Sequence, residues 1–136
     1  MKTGTKKIQA KRVYDAPAQS DGARFLVERL WPRGVKKVDL VMNAWLKDVA
    51  PSNELRKWFH HDPAKWSEFR KRYHAELEQH REAIKPLQDA AKHGPVTLLF
   101  SSHDTEHNNA VALQEYLTRT PKLDAKKPTA VAQRSG

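Results

Sequence analysis

An α/β domain is the fold this sequence predicts, on three observations. Val96 to Phe100 (VTLLF) is a continuous apolar run, the pattern of a strand buried on both faces of a parallel sheet. Elsewhere apolar residues recur at helical spacing, as in Trp66, Phe69, Tyr73 and Leu77. Strand-like and helix-like segments alternate along the chain, which fits helices laid against a sheet. The expected architecture is a single compact domain over residues 1–120, with a small, mostly parallel sheet flanked by helices in a Rossmann-like sandwich. Residues 121–136 (PKLDAKKPTAVAQRSG) lack aromatic residues and any sustained period, and are expected to form a flexible basic tail.

Each element has a local reason. Ile8 to Tyr14 alternates well enough for a first strand, with Ile8, Ala10 and Val13 as its candidate buried residues. Ala16 to Ala23 is rich in Pro, Ser, Asp and Gly and reads as a turn. Phe25-Leu26-Val27 begins a second strand that runs into Glu28, Arg29 and Leu30. Trp31-Pro32-Arg33-Gly34 breaks it, since proline removes a ladder donor and glycine permits a sharp turn. A short helix fits within 36–43, and Asn43 to Val49 reads as a third strand ended by Ala50-Pro51. Ser52 is a candidate N-cap for a helix carrying Leu55, Trp58 and Phe59. Asp62 caps the next helix with Pro63 at its first position, and Glu68–Arg72 and Arg72–Glu76 are expected pairs on its wet side. A third helix covers roughly 83–92 and ends at His93-Gly94-Pro95. After the VTLLF strand and a polar loop, Asp104 or Thr105 caps a last helix to about Arg119 that buries Ala110, Leu113 and Leu117.

Composition narrows the chemistry. The chain has 136 residues, no cysteine and a formal net charge of +9. A length of about 100–150 residues suits one domain. Without cysteine there is no disulfide framework, thiol nucleophile or cysteine-ligated metal. No stretch approaches the roughly 20 apolar residues that cross a bilayer, so no membrane partner is expected and a cytoplasmic location is. A basic chain invites a nucleic-acid reading, but the charge sits on the ends. Residues 1–12 hold Lys2, Lys6, Lys7, Lys11 and Arg12 with no acid, and residues 121–136 hold Lys122, Lys126, Lys127 and Arg134 against Asp124. The remaining 108 residues carry a net charge of only +1. Basic ends can contact nucleic acid or act as solubilising extensions, and the second reading is favoured.

In open α/β sheets ligands lie beyond the carboxyl ends of the strands, often against helix N-termini. That rule collects Arg29, Trp31 and Arg33 after the second strand, Ser52 after the third, and Ser101, Ser102, His103 and Asp104 after the last, with His107 and Asn108 in the helix start that follows. Two arginines beside exposed backbone N–H groups favour an anion; alternatively, Arg29 and Arg33 pair on the surface with Glu28, Asp39 or Asp48. His103 and His107 resemble a metal spacing, but without the glutamate of HExxH the match is weak. The simpler reading makes Asp104 a cap and leaves His107 exposed. His61 beside Asp62 is a candidate general base, although Asp62 as an N-cap accounts for itself. Neither a Gly-x-Ser-x-Gly elbow, a Gly-x-Gly-x-x-Gly fingerprint nor a P-loop occurs, so α/β-hydrolases, NAD-type dehydrogenases and P-loop enzymes fit poorly.

Several segments together resemble a known family. Arg12-Val13-Tyr14-Asp15, Leu30-Trp31-Pro32-Arg33-Gly34, Trp45-Leu46-Lys47, Ala50-Pro51-Ser52 and Leu55-Arg56-Lys57-Trp58-Phe59 are followed by His61-Asp62-Pro63, Trp66, Phe69, Tyr73, Glu76-Leu77, Val96-Thr97-Leu98-Leu99, Asp104, His107-Asn108 and Ala110. In this order they resemble the bacterial proteins grouped as domain of unknown function 488, in particular its short YeaO-like members. The resemblance spans about residues 8–117 and implies a compact α/β domain of bacterial cytoplasmic type, with no established activity attached. Ser101-Ser102-His103-Asp104 departs from the Ala-Ala-Lys-Asp expected there, so a role needing a lysine at 103 does not carry over. Nor does the thiol chemistry suggested by cysteines in longer relatives.

The favoured expectation is an anion- or phosphate-binding domain whose ligand is a phosphorylated metabolite or a nucleic-acid backbone. Its ligand-binding candidates are Arg29, Trp31, Arg33, Ser102 and Asn108; no cofactor is indicated. The alternatives are a small hydrolase using His61, Asp104 and His107, with or without a divalent metal, and an interaction module presenting its tryptophans to another protein.

Overall fold

The computed structural model describes residues 8–124, with side chains through Thr118. Strands β1 (Ile8–Arg12), β2 (Ala23–Leu26), β3 (Ala44–Trp45) and β4 (Val96–Phe100) form one sheet in the order β1-β4-β2-β3. Every pair is parallel: Ile8 stands opposite Val96, Ala23 opposite Val96, and Phe25 opposite Ala44. The helices are α1 (Asn53–Phe59), α2 (Trp66–Gln79), α3 (Lys85–His93) and α4 (Asn109–Asp124). The expected α/β class and mostly parallel sheet are what the chain forms.

The apolar run of β4 explains its central place. Val96, Leu98 and Phe100 point to one face, where the main core gathers residues of all four helices, including Phe59, Phe69, Tyr73, Leu87 and Leu113. On the other face Leu99 joins Leu26, Val13 and Leu40 in a smaller core covered by Trp31, Val35 and Met42 from the long β2–β3 connection and by Trp45 of β3. The helices therefore lie on one side of the sheet and a loop layer on the other.

That loop face also holds a buried polar knot. The Asp21 carboxylate accepts from the Lys11 ammonium at 3.1 Å, the Gln9 amide at 3.1 Å, the Ala18 N–H at 3.0 Å and the Arg24 guanidinium. Gln9 also donates to the Thr97 hydroxyl, which donates to the Asp21 carbonyl. Burial pushes the Asp21 carboxyl up, but the Ala18 N–H and the two cations outweigh it and hold the group below its ordinary 3.8.

Several element boundaries differ from expectation. The third strand is only Ala44–Trp45, and Lys47–Val49 forms a 3-10 turn instead. Side-chain ties decide this: the Trp45 indole donates to the Glu28 carbonyl, and the buried Tyr73 hydroxyl takes the Val49 carbonyl. The second strand starts at Ala23 and ends at Leu26, set by pairing with β4. The last helix starts at Asn109, because Asp104 caps a preceding turn and Asn108 caps the helix itself, accepting from the Val111 N–H. Glu76 does not pair with Arg72; it accepts from the Ser52 hydroxyl and N–H, while the Glu68–Arg72 pair forms at 3.0 Å. Of the expected tail, residues 121–124 continue α4, and 125–136 lie outside the described residues, as do Lys2, Lys6 and Lys7.

Candidate functional site

Topology places a crevice at the carboxyl edge of the sheet. β4 hands its chain to α4 on the helix face, whereas β2 hands its chain to the loop layer on the opposite face. Neighbouring parallel strands whose continuations diverge in this way leave a gap between them. Here the gap is a cleft of about 820 Å³ lined from the β2 exit, the end of α1 and the β4–α4 loop.

Hydrogen bonds fix its walls. Glu28, just past β2, accepts from the Ser101 N–H at 2.9 Å and the Ser101 hydroxyl at 2.7 Å, which locks the two strand exits together. The Asn109 amide donates to the Val27 carbonyl at 2.7 Å, pinning the start of α4 to the same place. The Arg29 guanidinium donates to the carbonyls of Ala50 and Pro51, at 3.2 and 3.3 Å. It does not pair with Glu28, Asp39 or Asp48; two carbonyls that no strand or helix satisfies take its donors instead. Arg12 reaches from β1 to the carbonyls of Ser102 and Ser101, at 2.9 and 3.3 Å.

The β4–α4 loop is ordered by Asp104. Its carboxylate accepts from the Glu106 and His107 N–H groups at 2.9 and 3.0 Å, and its other oxygen meets His107 Nδ1 at 3.0 Å. These bonds, the Glu106 N–H foremost, hold the carboxyl below its ordinary value despite partial burial. The Ser102 hydroxyl accepts from the Asp104 N–H, and the nearly buried Asn108 donates to the Asp104 carbonyl.

Most of the candidate residues converge on this cleft. Arg29, Trp31, Arg33, His61, Ser102, Asp104 and Asn108 all line it, but His107 does not. The His107 ring is half-buried rather than exposed and packs edge-on against Trp66, 5.3 Å between centroids. Among the described residues no group of three or more His, Asp or Glu is placed to hold a metal ion. The tryptophans are half-buried. Trp31 and Trp45 pack edge to face, and cations lie over Trp45 and Trp58.

Sequence reasoning missed two groups of wall residues. Arg56 and Lys57 end α1 and line the cleft; a cation doublet at a helix C-terminus reads as a partner for the helix dipole, which hid them. Tyr14 follows β1 and lines it as well. His60 and His61, also in the wall, adopt left-handed backbone with φ of 46° and 55°. Such a conformation costs a non-glycine residue about 1–2 kcal/mol. His60 is the C-cap of α1, a place glycine usually takes. His60→Gly is therefore expected to raise the unfolding free energy by roughly 1 kcal/mol in a urea titration.

An all-parallel α/β domain with a cationic cleft at its carboxyl edge is the class that fold and site define. The chain belongs to the family described as the inactive DUF488-N3 subclade, whose model matches residues 7–134. The family read from the motifs is thereby shown. "Uncharacterized protein YeaO" of Escherichia coli (strain K12) is 52% identical over 110 residues, covering 81% of this chain and 96% of the relative. "Uncharacterized protein Mb3100c" of Mycobacterium bovis is 37% identical over 111 residues, covering 82% and 93%. "Uncharacterized protein MT3158" of Mycobacterium tuberculosis (strain CDC 1551 / Oshkosh) matches at the same identity and coverage. No solved structure matches the chain. Among the described residues no helix is long and apolar enough to cross a membrane.

Proposed function

We propose that this domain binds a phosphate-bearing anion in the carboxyl-edge cleft. The observation that carries the reading is the imbalance of charge in the wall. Arg29, Arg33, Arg56 and Lys57 face one cleft with only Glu28 and Asp104, and both carboxylates are already engaged by Ser101 or by the Asp104–His107 turn. Among the described residues the heads of Arg33 and Lys57 have no hydrogen-bond or ion-pair partner. Free cations in a concave, partly apolar wall favour a phosphate, which accepts several charge-assisted bonds at once. Two strained histidines in the same wall add to the support, since such strain gathers at ligand sites. The subclade's description as inactive favours binding over turnover.

Arg33→Ala with Lys57→Ala is the informative variant, because Arg29 is occupied in holding the chain at Ala50 and Pro51. In a thermal-shift screen of sugar phosphates, nucleotides and short oligonucleotides, at least one phosphate compound is expected to raise the wild-type midpoint and to lose that effect in the double variant. Equal shifts in both proteins, or none in either, would contradict the proposal. The alternative is a small hydrolase in which Asp104 orients the His107 imidazole ring as a general base through their 3.0 Å contact; it is the weaker reading, because His107 lies outside the cleft wall. Equal phosphate release by wild type and His107→Ala on a phosphomonoester panel would remove it.

A further inference from the structure

We infer that the anion is a nucleotide, its base stacked on Tyr14 while its phosphate meets Arg33 and Lys57; this rests on the phosphate-binding reading above. Tyr14 is 47% exposed, which for a free aromatic side chain would mean a mobile ring in water. It is instead held at two points. Its hydroxyl donates to the Arg33 carbonyl at 2.8 Å, and the Arg12 guanidinium lies 4.7 Å from its ring centroid. Arg12 is itself fixed by the Ser101 and Ser102 carbonyls, so the platform is built from the β4 exit outward. With Arg12 over one face, the ring is restrained, and its remaining exposed surface loses little further freedom when a flat ligand settles on it. Leu30, 60% exposed, adds apolar surface to the same cleft. A phosphate alone needs neither an aromatic plane nor an apolar wall, and a cleft of about 820 Å³ far exceeds its size. A phosphate carrying a base uses all of these features, and stacking tolerates any base because each has a π-face. The Tyr14 hydroxyl bond to the Arg33 carbonyl keeps the ring beside the residue that carries the cation.

The test is a calorimetric or fluorescence titration of the whole chain with four probes: inorganic phosphate, ribose 5-phosphate, adenosine 5′-monophosphate and a 5′-phosphorylated pentaadenylate. The inference predicts that the free mononucleotide or the phosphorylated strand binds about tenfold tighter than ribose 5-phosphate, the size of one stacking contact. Tyr14→Ala is expected to abolish that preference, bringing the mononucleotide, the strand and ribose 5-phosphate to similar affinity, and Tyr14→Phe, which keeps the ring, to retain most of it. Which of the two probes binds better separates a free nucleotide from a strand end. Equal affinity for all phosphate compounds, or a preference that survives Tyr14→Ala, would overturn the inference and leave the phosphate reading standing. Failure of every probe to bind would overturn both.

Discussion

Replacing Asp21 with alanine lowers the unfolding free energy by about 3–5 kcal/mol, the usual cost of removing one partner from a buried charge cluster. Asp21 and Arg24 are buried at 1% and 3% exposure, and the Lys11 side chain is mostly covered. Without the carboxylate, two cations face each other across the loop side of the sheet, and the Ala18 N–H and Gln9 amide lose an acceptor. Urea unfolding followed by tryptophan fluorescence reads the loss directly. Restoring an apolar fill through Asp21→Ala combined with Arg24→Met is expected to recover part of it, because the penalty comes from the stranded charge. The same group sets a pH dependence. Its folded-state value lies below the ordinary 3.8. The stability it contributes is thus complete above that value and is lost as pH falls through the folded one. Asp104 titrates with the same sign. A wild-type acid-unfolding curve is therefore expected to be steeper than that of Asp21→Ala at its low-pH end.

Gly22→Ala is the second change with a large effect. Gly22 has φ of 65°, and a Cβ built there would stand 2.2 Å from the Pro95 carbonyl oxygen. That oxygen also accepts from the Ala23 N–H at 3.0 Å, the bond that opens the β2–β4 ladder. The close approach exists because the β1–β2 connection must cross the amino end of β4 to place β2 on its far side. Backbone strain costs about 1–3 kcal/mol and overpacking about 1–3 more. A midpoint loss of the size given by Asp21→Ala is expected in thermal unfolding; a variant within 0.5 kcal/mol of wild type, roughly the range of a neutral surface change, would show that the crossing relaxes freely.

Much of the fold was legible because its signals are local. Ser52 accepts from the Leu55 N–H as the N-cap of α1, Asp62 accepts from the Ala64 N–H but caps the 3-10 turn Pro63–Lys65 that leads into α2 rather than α2 itself, and the VTLLF run is buried at all five positions. The third strand was misread because Ala-Trp-Leu-Lys-Asp-Val alternates like a strand, while the bonds that turn it at Lys47–Val49 come from Glu28 and Tyr73, far away in sequence. Asp21 was read as an ordinary turn residue. Nothing in Pro-Ala-Gln-Ser-Asp-Gly reveals that β1 and β2 flank β4 and bring Lys11 and Arg24 around one carboxylate. The site divides in the same way. The strand-end rule found Arg29, Arg33, Ser102, Asp104 and Asn108 from chain position alone. Arg56, Lys57 and Tyr14 enter the cleft only through strand order and the packing of α1, which are tertiary facts.

The ends of the described chain and the cleft lie at different edges of the sheet. The strands begin at the amino edge, and α4 starts beside the cleft and runs back along β4 and β1. The described chain thus leaves the fold, at Ile8 and at Asp124, away from the carboxyl edge. The cations proposed to bind a ligand sit at the carboxyl edge, while of the basic amino-terminal segment the described Lys11 and Arg12 are engaged by Asp21 and by the Ser101 and Ser102 carbonyls.

Amide chemical-shift mapping during a titration with adenosine 5′-monophosphate tests that division most directly. Saturable shifts confined to residues 12–14, 29–33, 56–61 and 101–109 are the predicted result. Shifts concentrated in residues 1–7 and 125–136, with the cleft residues silent, would contradict it.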